Sequence, residues 1–194
     1  LQGFSLSPAH TRVAPMLRLF AAVEVPPEIA EGLSRRQQGL PGARWRPAEA
    51  LHVTLRFYGE VREEVAAELD LALAEIRSEP FDLVLTGAGC FGEGDDIRAV
   101  WAGVEPSALL ERLAARCETA GRRVGIKGES RPYRPHVTLA YLRRPEPDRV
   151  AAWIANHNLL HSPPFRVGGF GLYSSWLSKE GSRYELERDY PLSA

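Results

Sequence analysis

The sequence has few cysteines, no excess of one charge and no long apolar run. Its 194 residues include two cysteines, Cys90 and Cys117, which are too few for a disulfide framework and are not spaced as zinc ligands. A reducing cytoplasm is therefore the expected compartment. No stretch approaches the ~20 apolar residues of a membrane helix, so no membrane partner is expected. Lys+Arg 24 against Asp+Glu 25 excludes a broad non-specific nucleic-acid coat but leaves room for a small basic pocket.

The composition is that of an ordinary globular domain, with 44% hydrophobic and 25% charged residues. The first fifteen residues have neither the basic start nor the apolar centre of a secretory signal. We interpret residues 1–15 as a cloning remnant or a flexible extension. Residues 16–194 are expected to form a single bilobal domain, and the protein is expected to be a monomer.

The chain repeats itself, with corresponding residues 84 positions apart. LHVTLRFYGEV begins at Leu51 and PHVTLAYLRRP begins at Pro135, which places His52 and His136 at matching positions (136 − 52 = 84). Further landmarks recur in the same order: Pro80-Phe81 with Pro164-Phe165, Gly87 with Gly171 and, at an offset of 81, Phe20–Glu24 with Trp101–Glu105. This order indicates an internal duplication.

Each half is predicted to fold as strand, helix, HVTL strand, helix and strand. The matched halves predict an α+β protein of two lobes, in which two antiparallel-type sheets face a central cleft and the helices lie outside. Within this scheme, residues 40–50 (LPGARWRPAEA) are predicted to be a loop. A helix from Pro106 is predicted to end near Ala120 because Gly121 stops it.

The two HVTL strands each direct a histidine and a threonine to one face. Side chains alternate along a strand, so His52 and Thr54 share a face, as do His136 and Thr138 in the second copy. The apolar residues between them can then enter the core. If a two-fold axis relates the lobes, both histidines and both hydroxyls converge on one point.

Two histidines and two hydroxyls in one cleft suit the hydrolysis of a cyclic phosphodiester. One base deprotonates the attacking water and one acid protonates the departing ribose oxygen, and histidine can serve in either role near neutral pH. Hydroxyl and guanidinium donors stabilise the charge on the non-bridging oxygens. The sequence has no P-loop and no acidic cluster suited to magnesium, so neither a metal nor a cofactor is expected.

A basic stretch beside the second motif supplies candidates for RNA contact. Arg134 and Arg56 each stand two residues from a motif residue and are candidate phosphate ligands, with solvated rim positions as the alternative. Tyr133 is the candidate for stacking a nucleobase. Segment 122–144 carries seven basic residues against one acidic residue, Glu129. It predicts either a track for the phosphate backbone or an ordinary charged loop.

Paired HxTx motifs in a duplicated chain resemble the 2H phosphoesterase superfamily. Nearly all of residues 16–194 is similar to the bacterial RNA 2′,3′-cyclic phosphodiesterase family, also called 2′-5′ RNA ligase. The resembling stretches are RLFAAVEVP, LPGARW, LHVTLRFYGEV, VWAGVEPS, RPYRPHVTLA and LYSSWLS. The resemblance implies a hydrolase that opens RNA 2′,3′-cyclic phosphate ends to 2′-phosphates, with reversible 2′-5′ joining of tRNA halves in some members. It makes His52 the proton donor and His136 the proton acceptor, with Thr54 and Thr138 holding the phosphate.

Two other functions stay open. The same chemistry could act on a small cyclic phosphate such as a cyclic nucleotide, or the histidines could only grip a phosphate in an RNA-end-binding module. The basic stretch favours RNA, and the complete pair of motifs favours catalysis because binding alone needs no matched acid and base. The expected partner is therefore RNA with a 2′,3′-cyclic phosphate end, tRNA fragments included.

Overall fold

The structure is a computed structural model that describes residues 16–178 and 181–193. Residues 1–15, interpreted above as a remnant or an extension, lie outside this part of the chain. The described elements are β1 (Met16–Glu24), α1 (Pro27–Ser34), β2 (Ala43–Trp45), β3 (His52–Arg62), α2 (Glu63–Ala74), β4 (Phe81–Leu83), β5 (Leu85–Phe91), β6 (Ala99–Val104), α3 (Ala108–Arg123), β7 (His136–Leu142), α4 (Pro147–His157), β8 (Phe165–Val167), β9 (Gly169–Ser178) and β10 (Gly181–Pro191). The expected α+β class is confirmed.

The large sheet has eight strands, and its neighbouring strands are antiparallel. Seven strands follow the order β10-β9-β1-β3-β7-β6-β5, and β2 pairs with β7 from the side. The two expected sheets are joined into this one because β3 and β7 pair at a single position, Val53 opposite Val137. The short strands β4 and β8 form a separate two-stranded sheet.

A pseudo-two-fold axis relates the two halves of the sheet. Val53 and Val137, the pair at which the lobes meet, occupy equivalent positions of the repeat. In the small sheet Asp82 pairs with Arg166, and these residues are also 84 positions apart. Repeat-equivalent residues face each other across an antiparallel pair only when the symmetry axis passes between them. The duplication predicted from sequence is therefore a symmetry of the fold.

Each half of the chain contributes a strand to the other half's sheet. β5 belongs to the first half of the sequence but pairs with β6, and β9 belongs to the second half but pairs with β1. The order β9-β1-β3 is thus matched by β5-β6-β7 on the other side of the axis. This exchange ties the lobes together and fixes the relative position of the two motif strands.

The prediction that Gly121 stops helix α3 is wrong, since the helix continues past Gly121 to Arg123. Gly121 is a point of close approach: a Cβ atom there would lie 2.8 Å from Cε1 of Tyr58. The residue that stops the helix is Gly125, two positions beyond its end, whose φ of 82° is left-handed. The amide of Ile126 donates to the carbonyl of Gly121, and the amide of Gly125 donates to the carbonyl of Arg122. These two hydrogen bonds are the pair that defines a Schellman motif.

The core lies between the sheet and its helices. Along β3, Val53 and Leu55 are buried while His52 and Thr54 remain partly accessible, and β7 repeats this alternation. Each lobe therefore anchors its motif strand through the apolar residues and leaves the polar residues to the cleft. None of the helices in the described residues has the length and apolar character that a membrane crossing requires.

Candidate active site

The strand ends carrying the two motifs open into one pocket of about 280 Å³. It is lined by residues from both lobes: Arg18, Phe20, Arg46, Ala50, His52, Thr54, Phe57, His136, Thr138, Tyr141, Ser175 and Tyr184. Among these described residues there are two arginines and two histidines and no carboxylate. The pocket therefore suits an anion of about the size of a nucleotide's phosphate and sugar.

Both histidines are held in the same way by the backbone of their own strand. Nδ1 of His52 lies 2.9 Å from the carbonyl oxygen of Ala50, and Nδ1 of His136 lies 2.7 Å from that of Arg134. These carbonyls are equivalent in the repeat. A carbonyl oxygen only accepts hydrogen bonds, so Nδ1 carries a proton in each ring. In each neutral imidazole Nε2 is then the free nitrogen, able to accept a proton or, once protonated, to deliver one.

Burial lowers the pKa of both histidines because it disfavours the imidazolium form. The pKa of His52 falls to about 4: burial lowers it, the hydrogen bond to Ala50 raises it, and the charges of Arg46 and His136 lower it further. Burial also lowers the pKa of His136, opposed by its bond to the Arg134 carbonyl. Both rings are therefore mainly neutral at pH 7 in the free protein, and a bound phosphate anion would favour protonation.

Aromatic rings at repeat-equivalent positions support the two imidazoles. Phe20 lies 4.9 Å from His52, and Trp101, its counterpart in the second half, lies 6.3 Å from His136, measured between ring centroids. Each histidine also meets a second ring edge-on, Tyr184 for His52 and Phe91 for His136. These contacts restrict rotation of the rings about χ2 and so keep each Nε2 directed into the pocket.

The sequence of this chain matches the family model of the 2′-5′ RNA ligase superfamily over residues 25–175. The chain belongs to that superfamily. It is 30% identical to the RNA 2′,3′-cyclic phosphodiesterase of Archaeoglobus fulgidus over 172 residues, covering 87% of this chain and 97% of the relative. The protein of that name from Escherichia coli is 34% identical over 176 residues, which cover 86% of this chain and 92% of the relative. The crystal structure of E. coli LigT complexed with 3′-AMP superimposes with a TM-score of 0.75 at 30% identity, covering 93% of this chain and all of that one.

Not every residue predicted for the superfamily site lies in the pocket, and Arg56 is the clearest exception. Its guanidinium forms an ion pair with Glu118 of α3, with Nε 2.5 Å from the carboxylate. Its other nitrogens donate to the backbone carbonyls of Phe57 and Lys127, at 2.8 and 2.7 Å. The Arg56 side chain therefore holds α3 and the segment after it against β3. Arg56 is not among the residues that line the pocket, and its contact with substrate stays a prediction.

Tyr133 and Arg134 also lie outside the residues that line the pocket. The hydroxyl of Tyr133 donates to the backbone carbonyl of Thr54, at 3.1 Å, and its ring packs against the core. It is thus a link between the two motifs, and the stacking of a base on its ring stays a prediction. Arg134 is exposed, and its backbone carbonyl is the acceptor for Nδ1 of His136.

The basic segment is partly neutralised. Arg131 pairs with Glu129 and Arg123 pairs with Glu75. Both ion pairs are exposed and leave their arginines accessible to other anions at little cost. The phosphate track along segment 122–144 therefore stays a prediction.

Sequence reasoning missed Arg46, which the structure places in the pocket. Residues 40–50 were predicted to be a loop, but they contain β2, which pairs with β7 and carries Arg46 to the site. The repeat gave no signal for Arg46, because the position 84 residues later is Ser130. It gave none for Tyr184 either, because the position of Tyr184 depends on the pairing of β10 with β9.

Proposed function

We propose that this protein hydrolyses RNA 2′,3′-cyclic phosphate ends to 2′-phosphates by acid–base catalysis with His52 and His136. The observation that carries the proposal is the symmetry of the two imidazoles. They flank the pseudo-two-fold axis at Val53 and Val137, line one pocket whose described residues include no carboxylate, and each keep Nε2 free. The names of the relatives supply the substrate class.

The reaction adds water across one P–O bond. Nε2 of neutral His136 takes a proton from the attacking water as its oxygen bonds to phosphorus. The bond from phosphorus to the 3′ oxygen breaks, and protonated His52 gives its proton to that oxygen. The products are a 2′-phosphate and a free 3′ hydroxyl. His136 ends protonated and His52 neutral, and exchange with solvent resets both rings.

The two-fold arrangement supports in-line displacement, in which water and the leaving oxygen lie on opposite sides of phosphorus. Related imidazoles on either side of an axis can each serve one of these oxygens. Thr54 and Thr138, at equivalent positions beside them, are placed to donate to the non-bridging oxygens, where negative charge accumulates in the transition state. If a 5′ hydroxyl replaces water as the attacking group, the same steps in the same order would form a 2′-5′ linkage and a free 3′ hydroxyl.

RNA is the proposed substrate, with tRNA fragments included, and a small cyclic phosphate is the alternative. The pocket's volume accommodates only the terminal nucleotide's reacting part, so upstream nucleotides would lie outside it, near Arg134. We propose that the protein acts as a monomer in a reducing cytoplasm, where free thiols such as those of Cys90 and Cys117 persist. We also propose that no metal takes part.

The test compares an oligonucleotide ending in a 2′,3′-cyclic phosphate with the matching cyclic mononucleotide, both with EDTA present. His52→Ala and His136→Ala are each expected to reduce kcat by at least ~10²-fold, the lower range for positioned acid–base groups. His157→Ala is the matched control, since that imidazole stacks on Trp153 outside the pocket. Full activity in both pocket variants, or complete loss of wild-type activity in EDTA, would refute the proposal.

A further inference from the structure

The most unusual group in the pocket is the guanidinium of Arg46. Only 6% of this residue is exposed, and no described group lies within hydrogen-bond distance of its buried Nη2 atom. It forms no ion pair with a described carboxylate. A buried cation without an anion is costly, so such a residue is expected where an anion arrives from solution.

The main chain of Arg46 is fixed by the second lobe. Its amide donates to the carbonyl of Leu139 in β7, at 2.8 Å, and its carbonyl accepts from the side chain of Gln37, also at 2.8 Å. The side chain therefore leaves an anchored point of the β2–β7 pairing. It does not depend on a loose loop for its direction into the pocket.

The guanidinium itself lies among aromatic rings from both lobes. Its central carbon is 4.9 Å from the ring centre of Tyr184 and 5.9 Å from that of Tyr141. Such contacts orient a planar guanidinium and offset part of its desolvation without using its N–H donors. Nη2 therefore has a fixed position, and its N–H groups donate to no described acceptor.

We infer that Arg46 binds a non-bridging oxygen of the reacting phosphate. This rests on the proposed function, because it places the cyclic phosphate between the two histidines that share the pocket with Arg46. A guanidinium donates through N–H groups arranged as a fork, which matches phosphate oxygens, and the contact strengthens as charge accumulates on them. Arg46 thereby takes the role that the sequence suggested for Arg56.

Arg46 also breaks the symmetry of the site. The position 84 residues later is Ser130, which lines a separate, more open groove with Lys127. The fixed positive charge therefore acts on the first motif, and it is one of the causes that lower the pKa of His52. A bound phosphate neutralises that charge and so favours protonation of His52, the imidazole proposed to donate.

The test uses Arg46→Met and Arg46→Lys, with Arg44→Met as the matched control on an exposed residue of β2. Inorganic phosphate is the probe, titrated by calorimetry, and kcat/KM and melting temperature are measured for each variant. Arg46→Met is expected to weaken phosphate binding and kcat/KM by about 10- to 100-fold, the range for hydrogen bonds to charged groups. Arg46→Lys is expected to lose less because it keeps the charge, and Arg44→Met to lose nothing.

Stability and function are expected to change in opposite directions. Since no described carboxylate pairs with Arg46, an apolar residue of similar volume should leave the melting temperature unchanged or raise it. Arg46→Met should also move the NMR titration of His52 to higher pH. Unchanged phosphate affinity, or a lower melting temperature in Arg46→Met with affinity retained, would overturn the inference. Phosphate binding that depends on Arg46 in a wild type unable to hydrolyse the cyclic phosphate would instead overturn only the proposed function.

Discussion

The pH dependence of kcat/KM follows from the lowered pKa values of the two histidines. The free enzyme is active when one imidazole is protonated and the other neutral, which gives a bell-shaped profile. His52 has a pKa of about 4, and the pKa of His136 is below the ordinary 6.5. The profile reports the pKa values of the pair, and its shape is the same whichever ring is the acid. The optimum is therefore expected between about pH 4 and 6.5.

The loss of the protonated imidazole determines the direction and slope of the change in kcat/KM at high pH. As pH rises above both pKa values, the protonated ring disappears, and kcat/KM should fall about tenfold for each pH unit. The value at pH 8.5 is then expected to be roughly a tenth of that at pH 7.5. At saturating substrate the phosphate anion opposes deprotonation, so the optimum of kcat should lie at higher pH than that of kcat/KM.

The assay is the initial rate on a 2′,3′-cyclic mononucleotide far below KM, because this phosphodiester does not titrate in the range. Titration of the imidazole signals by NMR, with His157→Ala to assist assignment, measures the pKa values independently. A kcat/KM profile centred above pH 7, or NMR midpoints of 6.5 or higher for both pocket histidines, would refute the reasoning from burial.

Three further substitutions test the placement of residues around the pocket. Arg56→Ala should destabilise the fold by about 1–3 kcal/mol, between the ranges for exposed and buried ion pairs, and leave kcat/KM within a fewfold of wild type. A large loss of activity at unchanged stability would show instead that Arg56 contacts the substrate. Gly121→Ala should lower urea stability by about 1–3 kcal/mol, because the hydroxyl of Tyr58 donates to the carbonyl of Cys117 and anchors the ring; an unchanged midpoint would contradict that. Arg134→Gln should raise KM for an oligonucleotide more than for the cyclic mononucleotide and reduce the salt slope by about one, whereas equal losses would place Arg134 on the reacting phosphate.

The positions of the two motifs could be predicted because local rules determine them. Alternation along a strand puts His52 with Thr54 and His136 with Thr138, and a repeated sequence implies a symmetric arrangement of the two copies. Neither inference requires knowledge of which strands pair. The joining of the lobes into one sheet did require it, since it depends on the pairing of β3 with β7.

The side chains around the motifs could not be predicted for the same reason. Arg56 occupies a strand position that faces the cleft by alternation, yet its long side chain reaches Glu118, which is distant in sequence. Arg46 reaches the cleft because β2 pairs with β7. In both cases the alternatives differ by long-range contacts that residue spacing does not encode. Gly121 is a milder example, since a glycine near a helix end is more often a stop than a point of close packing.

The central claim is that two histidines divide the proton transfers between water and the 3′ oxygen. It is tested most directly by a cyclic phosphate in which sulfur replaces the bridging 3′ oxygen, because a thiolate leaves without needing a proton. Its hydrolysis is measured with wild type, His52→Ala and His136→Ala, and phosphorus NMR identifies the product. The account predicts a 2′-phosphate, near wild-type rates for His52→Ala and a persistent defect for His136→Ala. Rescue of His136→Ala alone, or of neither variant, would contradict the assignment of His52 as the acid.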